Sequence, residues 1–355
     1  NEITNEFLIV TNKKDKKGLI KIGNERVVDA RLSDAEFFWN KDKTQNLVKK
    51  VSELKSMNFF KGLGSYFDKV QRMRKIGGMI SDELLISKEK VELSASICKT
   101  DLTSDLVGEF PELQGLMGGY FSEHQGFDKD ISLAISEQYL PIGLNSMVPK
   151  KPFSVALSIT DKIDTLVGFF GINEKPTSSK DPLALRRIAL GIIRTTIENK
   201  KNLKINDLMN YSSRLYDDQG YNLDNKDLQK ELYNFLKDRF RYYLKEKEIR
   251  YDIIEATLSS FSLNNLFSSF EKAKCLNKVI RSQIGMDINS SYKRASNILE
   301  HEMKNNEIEI NDTTDPGIFK SEFEKNLYKK INDIKKYYST LNNDENCEKS
   351  LSILA

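Results

Sequence analysis

The spacing of apolar residues along this 355-residue chain predicts helices over most of its length. Between residues 152 and 170, apolar positions three and four residues apart predict a long helix with one buried face. A second stripe follows Asp181 and Pro182, which suit the N-cap and the first position of another helix. The first stripe is Val155, Ile159, Ile163, Leu166, Val167 and Phe170, and the second is Leu185, Ile188, Ala189, Ile192, Ile193 and Thr196.

Strand-like patterns are confined to the start of the chain. Residues 7–10 and 18–22 are apolar runs on either side of the charged residues 13–17, a pattern that predicts two strands around a turn. From Asp34 onward the patterns are helical, and the glycines within residues 59–65 predict a break between helices. The sequence therefore predicts a mainly α fold with a short β remnant at its N-terminus. Other helices are predicted to start at residues 34–38 and to cover residues 92–106 and 130–140.

A second helical region follows the polar residues 199–202, which we interpret as a boundary. Residues 307–316 are acidic and polar and predict a loop. Two amphipathic helices are predicted in this region. Their apolar faces are Leu232, Phe235, Leu236, Tyr243 and Leu244 in one, and Phe319, Phe323, Leu327, Ile331, Ile334 and Tyr338 in the other.

The charge of the chain is nearly balanced, since 55 lysines and arginines face 52 acidic residues. Any contact with a nucleic acid must therefore come from a local basic patch. Arg187 and Arg194 lie seven residues apart on one predicted helix face, with Gly191 between them. Because glycine has no side chain, we expect a polyanion to approach that face closely. The alternative is that these arginines pair with carboxylates on a solvated face.

Few residue types suited to metal or nucleophilic chemistry are present. The two histidines, His124 and His301, have no further histidine or cysteine at ligand spacing, which argues against a metallohydrolase centre. The three cysteines show no paired spacing, which favours a reducing cytoplasm. No phosphate-binding glycine loop appears, and no apolar run reaches the roughly 20 residues of a membrane span. The ends of the sequence suggest a fragment of a longer protein.

Asp161 and Asp164 stand on an otherwise apolar predicted helix. A carboxylate in such a position must be paired or bind a ligand, because burying an unpaired charge is costly. Asp161 shares a face with Thr165, and we expect the two to hold a backbone group or an arginine from the helix at Arg186. A structural role is favoured over a metal site.

Several segments resemble one family, the beta subunit of the bacterial heterotetrameric glycyl-tRNA synthetase. They include the sequences GEFPELQG at residues 108–115 and EQYLP at residues 137–141. The resemblance implies a β-containing domain that ends within residues 1–35, a helical connector and degenerate HD-like domain in 36–200, and linker helices with a truncated, DALR-like anticodon-binding domain in 201–355. The matching segments, in order, are 23–38, 102–103 with 107–118, 137–141, 160–194 and 292–299.

The resemblance also allows a comparison with metal-dependent HD phosphohydrolases, which need a His-Asp pair, a further histidine and a later aspartate. Thr100 and Asp101 stand where the His-Asp pair would be, Gln138 stands where relatives commonly carry histidine, and Asp161 resembles the later aspartate. Two metal ligands are thus replaced. The resemblance implies a scaffold without bound metal or hydrolase activity, whose surface is available to tRNA.

In this family the alpha subunit activates glycine with ATP and Mg, whereas the beta subunit binds glycine tRNA within a cytoplasmic α2β2 heterotetramer. The resemblance therefore implies no catalytic residue and no cofactor in this chain. The alternatives are an HD-type phosphohydrolase and a non-catalytic helical scaffold. Arg294 is alternatively a residue at the edge of a core. The candidate tRNA contacts are Lys175, Lys180, Arg186, Arg187 and Arg194 on the acceptor side, and Arg239, Arg241, Lys293 and Arg294 on the anticodon side, with Tyr242 or Tyr243 for stacking.

Overall fold

The computed structural model describes residues 4–177, 180–306 and 314–340, and these are mainly α-helical, as the sequence predicts. No helix among them is both long and apolar enough to cross a membrane. The α-helices are α1 (Leu19–Asp42), α2 (Leu47–Lys50), α3 (Tyr66–Leu84), α4 (Lys88–Ile97), α5 (Asp105–Glu109), α6 (Leu116–His124), α7 (Lys129–Glu137), α8 (Pro152–Gly171), α9 (Leu185–Glu198), α10 (Ile205–Asp218), α11 (Leu228–Glu246), α12 (Tyr251–Ser259), α13 (Leu266–Val279), α14 (Gln283–Asn306) and α15 (Glu322–Thr340).

The chain divides into two compact units. The first unit is Asn1–Thr195 with Asp207–Leu232, and the second unit is Thr196–Asn206 with Tyr233–Ala355. Each unit therefore takes up two separate stretches of sequence.

Helix α8 runs through the interior of the first unit, packed against α3, α4 and α7. The six apolar residues predicted for its buried face are all buried, which confirms that prediction. Gly77 of α3 allows the helices to approach closely, because a Cβ atom there would lie 2.8 Å from Val91 of α4 and 3.7 Å from Thr160 of α8. The predicted break before α3 is an antiparallel hairpin of β1 (Asn58–Phe60) and β2 (Gly64–Ser65).

The prediction of strands at the start of the chain was wrong. Residues 7–10 lie in no strand, and residues 19–22 begin α1. The Asp15 carboxylate accepts the Lys21 backbone N–H at 2.9 Å, which favours a helix start there. Lys21 and Glu25 form an ion pair one turn apart, at 3.7 Å. Within the described residues, β1 and β2 are the only strands.

Two predicted helix boundaries also differ. The helix predicted for 92–106 is interrupted, because α4 ends at Ile97 and a 3₁₀ turn occupies Thr100–Thr103 before α5 begins. Asp181 does cap α9, since its carboxylate accepts the backbone N–H groups of Leu185 (2.8 Å) and Arg186 (3.0 Å). The helix nevertheless begins at Leu185 rather than at Pro182, because Ala184 has a left-handed conformation with φ of 56°.

In the second unit the predicted amphipathic helix α11 buries Leu236, Tyr243 and Leu244. Phe240 of the same helix stacks on Phe261 with ring centroids 5.0 Å apart. The apolar face predicted for the last helix lies on α15 but is exposed: Phe323, Leu327 and Ile331 are each more than a third accessible. The Tyr338 side chain and most of the loop predicted at 307–316 lie outside the described residues.

Candidate functional site

Charged side chains from three parts of the first unit meet in its interior, where all of them are buried. Helix α3, the turn after α4, and α8 supply them. We call this group the ionic cluster. It consists of Lys69, Arg72, Lys99, Asp101, Asp161, Lys162 and Asp164.

Asp164 is a carboxylate of the ionic cluster with a fully inaccessible side chain. Arg72 donates to it from Nε at 2.6 Å and from a terminal nitrogen at 3.2 Å, and Lys69 Nζ lies 3.0 Å away. Burial raises the pKa of Asp164, but the Arg72 and Lys69 charges outweigh this and hold the pKa below its usual value. The Arg72 guanidinium also lies 3.7 Å from the centre of the Tyr216 ring.

Asp161 is held between two ammonium groups. Its Oδ1 atom lies 3.1 Å from both Lys69 Nζ and Lys99 Nζ. Burial opposes ionisation, yet these lysines keep the pKa of Asp161 below its usual value. The expectation of an arginine partner from the helix at Arg186 was therefore wrong, since Arg186 instead donates to the backbone carbonyl groups of Thr177 and Lys180.

The other three residues that the resemblance compares with HD ligand positions, Thr100, Asp101 and Gln138, form hydrogen bonds with backbone groups. Asp101 Oδ2 accepts the N–H groups of Gly115 at 2.5 Å and Gly118 at 3.2 Å, and burial raises the pKa of Asp101 to about 6. Thr100 Oγ1 donates to the Ile97 carbonyl at 2.7 Å. Gln138 Nε2 donates to the carbonyls of Cys98 and Ile135.

The residues present do not fit a metal ion. A divalent cation at an HD site needs several histidine or carboxylate ligands. In the described part of the chain, no group of three or more histidine, cysteine, aspartate or glutamate side chains is placed so that it could hold a metal ion. At Asp161, the charges of Lys69 and Lys99 lie where a cation would have to approach.

Lys162 is buried with its ammonium group among neutral acceptors. Its Nζ atom donates to the Leu140 carbonyl at 2.7 Å and to Ser158 Oγ at 2.8 Å. Burial lowers its pKa to about 7, while Asp161 opposes and Lys99 adds to that shift. The Lys162 chain fills the space beside Gly191, where a Cβ atom would lie 2.8 Å from Cε. The expectation that a polyanion approaches at Gly191 was therefore wrong.

Between about pH 7 and pH 8.5, we expect the free energy of unfolding of the first unit to rise by about 1.5 kcal/mol. Folded Lys162 releases its proton near pH 7, whereas in the unfolded chain it stays protonated up to its ordinary value of 10.5. The unfolded state then binds more protons, so stability increases with pH. Above about pH 9 this rise is offset, because burial raises the pKa of the Cys98 thiol from 9.0 to about 12, and the unfolded chain releases a proton that the folded protein keeps.

The measurement is urea unfolding at several pH values, followed by the fluorescence of Trp39. This residue is the one tryptophan of the chain and stacks on Phe121 in the first unit, at 5.4 Å between ring centroids. Lys162→Met removes the titrating group and should remove the rise. An equal rise in both proteins would rule out Lys162 as its source.

A cavity of about 320 Å³ opens beside the ionic cluster. We call it the basic cavity. Its charged lining residues are Lys69, Lys99, Asp161, Lys162 and Arg187.

The five acceptor-side candidates differ in how free their side chains are. Lys180 and Arg187 are exposed, and neither side chain has a hydrogen bond or ion pair to the described residues. Lys175 pairs with Glu231 at 2.5 Å. Arg194 donates to the carbonyls of Gly143 and Ser146, at 2.8 Å each, and so holds the loop before α8. As described above, Arg186 binds the loop that precedes its own helix.

Among the anticodon-side candidates, Lys293 and Arg294 are exposed on α14, so Arg294 is not at the edge of a core in the described residues. Arg241 pairs with Asp238 and Glu255, at 2.6 and 3.1 Å. The last candidate, Arg239, lies about 6 Å from the Phe235 and Tyr242 rings. Of the two proposed stacking residues, Tyr243 is buried against Phe270, whereas Tyr242 is 36% exposed.

Fold and site together define a mainly α-helical protein with a lysine-neutralised ionic cluster and exposed basic residues, without a set of metal ligands in its described part. The family described as "Glycyl-tRNA synthetase beta subunit" matches residues 1–259. The chain belongs to this glycyl-tRNA synthetase beta subunit family, which confirms the resemblance seen in the sequence.

Individual relatives agree with this assignment. The chain is 38% identical over 352 residues to the glycine–tRNA ligase beta subunit of Rickettsia canadensis, covering 98% of this chain and 50% of the relative. It is 35% identical over 329 residues to that of Cereibacter sphaeroides, covering 91% and 47%. For Rhodospirillum centenum the identity is 36% over 303 residues, covering 84% and 42%. The chain spans about half the length of these relatives.

Proposed function

We propose that this chain forms part of the tRNA-binding beta subunit of a glycine–tRNA ligase. The observation that carries the proposal is the match to relatives with that name over as much as 98% of the chain. The alpha subunit would activate glycine with ATP and Mg in the cytoplasm, and the two subunits would assemble as an α2β2 heterotetramer. This chain would contribute contacts to glycine tRNA rather than catalytic groups.

The arrangement of charges supports a binding role over hydrolysis. A metal-dependent phosphohydrolase would need Asp161 as a metal ligand, but two lysines already neutralise that carboxylate. The basic groups that remain accessible, Lys180 and Arg187, suit contacts with phosphate oxygens. Together with the exposed Lys293 and Arg294, they are the residues on which we base the test.

The test is the fluorescence anisotropy of labelled glycine tRNA titrated with the purified chain over a salt series. We expect the double variants Lys180→Ala with Arg187→Ala, and Lys293→Ala with Arg294→Ala, each to weaken binding. Each lost phosphate contact should reduce the slope of log affinity against log salt by about 1. Lys75→Ala, an exposed lysine of α3, is the matched control.

A non-cognate tRNA completes the experiment. Tighter binding of glycine tRNA that persists at higher salt would establish specific recognition by this chain. If all variants bind like the control, the four residues are not contacts. If the chain does not bind glycine tRNA more tightly than a neutral helical protein does, the inert-scaffold interpretation replaces the proposal.

A further inference from the structure

The basic cavity has an excess of positive charge that its own residues do not balance. Lys69, Lys99 and Arg187 line it as cations, and Asp161 is the one carboxylate in the lining. Lys162 adds only a partial positive charge, because burial lowers its pKa to about 7. The Asp164 carboxylate, which is not a lining residue, lies 3.0 Å from Lys69 Nζ and offsets part of the lysine charge. Positive groups that converge in a recess of low dielectric attract anions more strongly than the same groups on an open surface.

The cavity has a buried floor and an accessible mouth. Lys69 and Lys99 are at most 2% exposed, and both are fixed by Asp161. At the mouth, Arg187 and Ile142 are exposed, with Ile142 65% accessible. The Arg187 guanidinium is uncommitted within the described residues. An anion that entered would therefore meet buried ammonium groups at the floor and an exposed guanidinium at the mouth.

Phosphate is the anion that this arrangement suits. Arginine binds phosphate oxygens through two parallel N–H groups, and lysine binds them as a point charge. Tyr139 adds a hydroxyl group, which lies 2.9 Å from Lys99 Nζ. A carboxylate ligand offers two oxygens rather than three and would therefore contact fewer of these groups at once.

The rest of the lining is aromatic and apolar. Phe59 and Tyr66 face the cavity, with their ring centroids 5.5 Å apart in an edge-to-face pair. Such rings are the usual partners of nucleobases. The volume of about 320 Å³ is at the lower end of the range for small-molecule sites, which limits the occupant to one nucleotide unit.

We propose that the basic cavity binds a nucleoside monophosphate unit, with its phosphate at Arg187 and the buried lysines and its base against Phe59 and Tyr66. The unit belongs either to a free nucleotide or to an unpaired nucleotide of an RNA. In this proposal positive charges hold the phosphate without a metal ion.

The experiment is isothermal titration calorimetry of the whole chain with AMP, adenosine and inorganic phosphate. We expect AMP to bind, inorganic phosphate to bind more weakly, and adenosine to show the weakest binding. Arg187→Ala should weaken AMP binding by about tenfold, the usual effect of losing a hydrogen bond between charged groups. Lys75→Ala removes an exposed cation that does not line the cavity and should leave AMP affinity unchanged.

A second variant, Lys99→Met, tests the buried floor, and Trp39 fluorescence checks that it folds. Folded Lys99→Met should also lose AMP affinity. If glycine tRNA displaces bound AMP, the natural occupant of the cavity is an unpaired nucleotide of the RNA. If it does not, the occupant is a free nucleotide. The absence of AMP binding, or equal losses in Arg187→Ala and Lys75→Ala, would overturn the proposal. Because AMP is titrated without tRNA, either result leaves the proposed tRNA role to its own test.

Discussion

Replacing Asp164 by alanine should lower the free energy of unfolding of the first unit by about 3–5 kcal/mol. The substitution leaves the Arg72 guanidinium and the Lys69 ammonium buried without their shared carboxylate. Breaking one side of a buried ion pair costs far more than the net value of the pair, because the remaining charges lose a partner and cannot reach water. Tyr216 would also lose a weaker contact, of 3.3 Å, to the same carboxylate.

Urea unfolding followed by Trp39 fluorescence measures this effect in the first unit. Glu92→Ala is the control, because Glu92 pairs with Arg74 at 3.5 Å on the surface. That pair is exposed to water, and we expect its loss to change stability by at most about 1 kcal/mol. Similar losses in Asp164→Ala and Glu92→Ala would show that the buried cations find water or other partners when the carboxylate is removed.

Gly119→Ala should destabilise the same unit by about 1–3 kcal/mol, because overpacking strains closely packed helices. A Cβ atom at this position of α6 would lie 1.7 Å from Ser136 Oγ and 2.8 Å from the Ser132 carbonyl oxygen of α7. The Ser136 hydroxyl can rotate away from the new methyl group. The Ser132 carbonyl oxygen cannot, because it belongs to the backbone of α7, so the two helices would have to move apart.

Gly108→Ala is the matched control for this packing effect. Gly108 lies in α5, and a Cβ atom there would meet nothing within 4 Å. Alanine is a better helix former than glycine, so this variant should be neutral or more stable by up to about 1 kcal/mol. Equal stability of the two variants, measured by the same urea titration, would contradict the close approach of α6 and α7.

Local sequence signals predicted the helices that carry their own stop and start residues. Helix α8 was predicted to within one residue of each end, because Pro152 marks its start and its apolar stripe is regular. The N-terminal part of α1 was missed for the opposite reason, since a helix start was predicted at residues 34–38 and the helix begins at Leu19. Its apolar residues are largely exposed, with Leu19 67% and Val27 62% accessible, so no buried stripe distinguished it from a pair of strands.

The partners of the carboxylates in α8 were not predictable from local spacing. The sequence indicated that Asp161 and Asp164 need partners, and the structure supplies them from Lys69 and Arg72, which lie more than 90 residues earlier in the chain. A lysine in an amphipathic helix ordinarily indicates the solvated face. One available signal was that Lys69 and Arg72 lie three residues apart among the apolar positions of α3.

The route of the chain through the first unit has a consequence for how the protein folds during synthesis. Tyr216 donates to the Asp164 carbonyl at 3.1 Å, and Gln219 accepts from Arg72 at 2.7 Å. Both lie in the stretch Asp207–Leu232, which returns to this unit after a detour through the other. Contacts that span so much sequence close large loops and form late. A nascent chain that has emerged only as far as residue 195 therefore carries Arg72 and Asp164 with their last hydrogen-bonding partners still inside the ribosome.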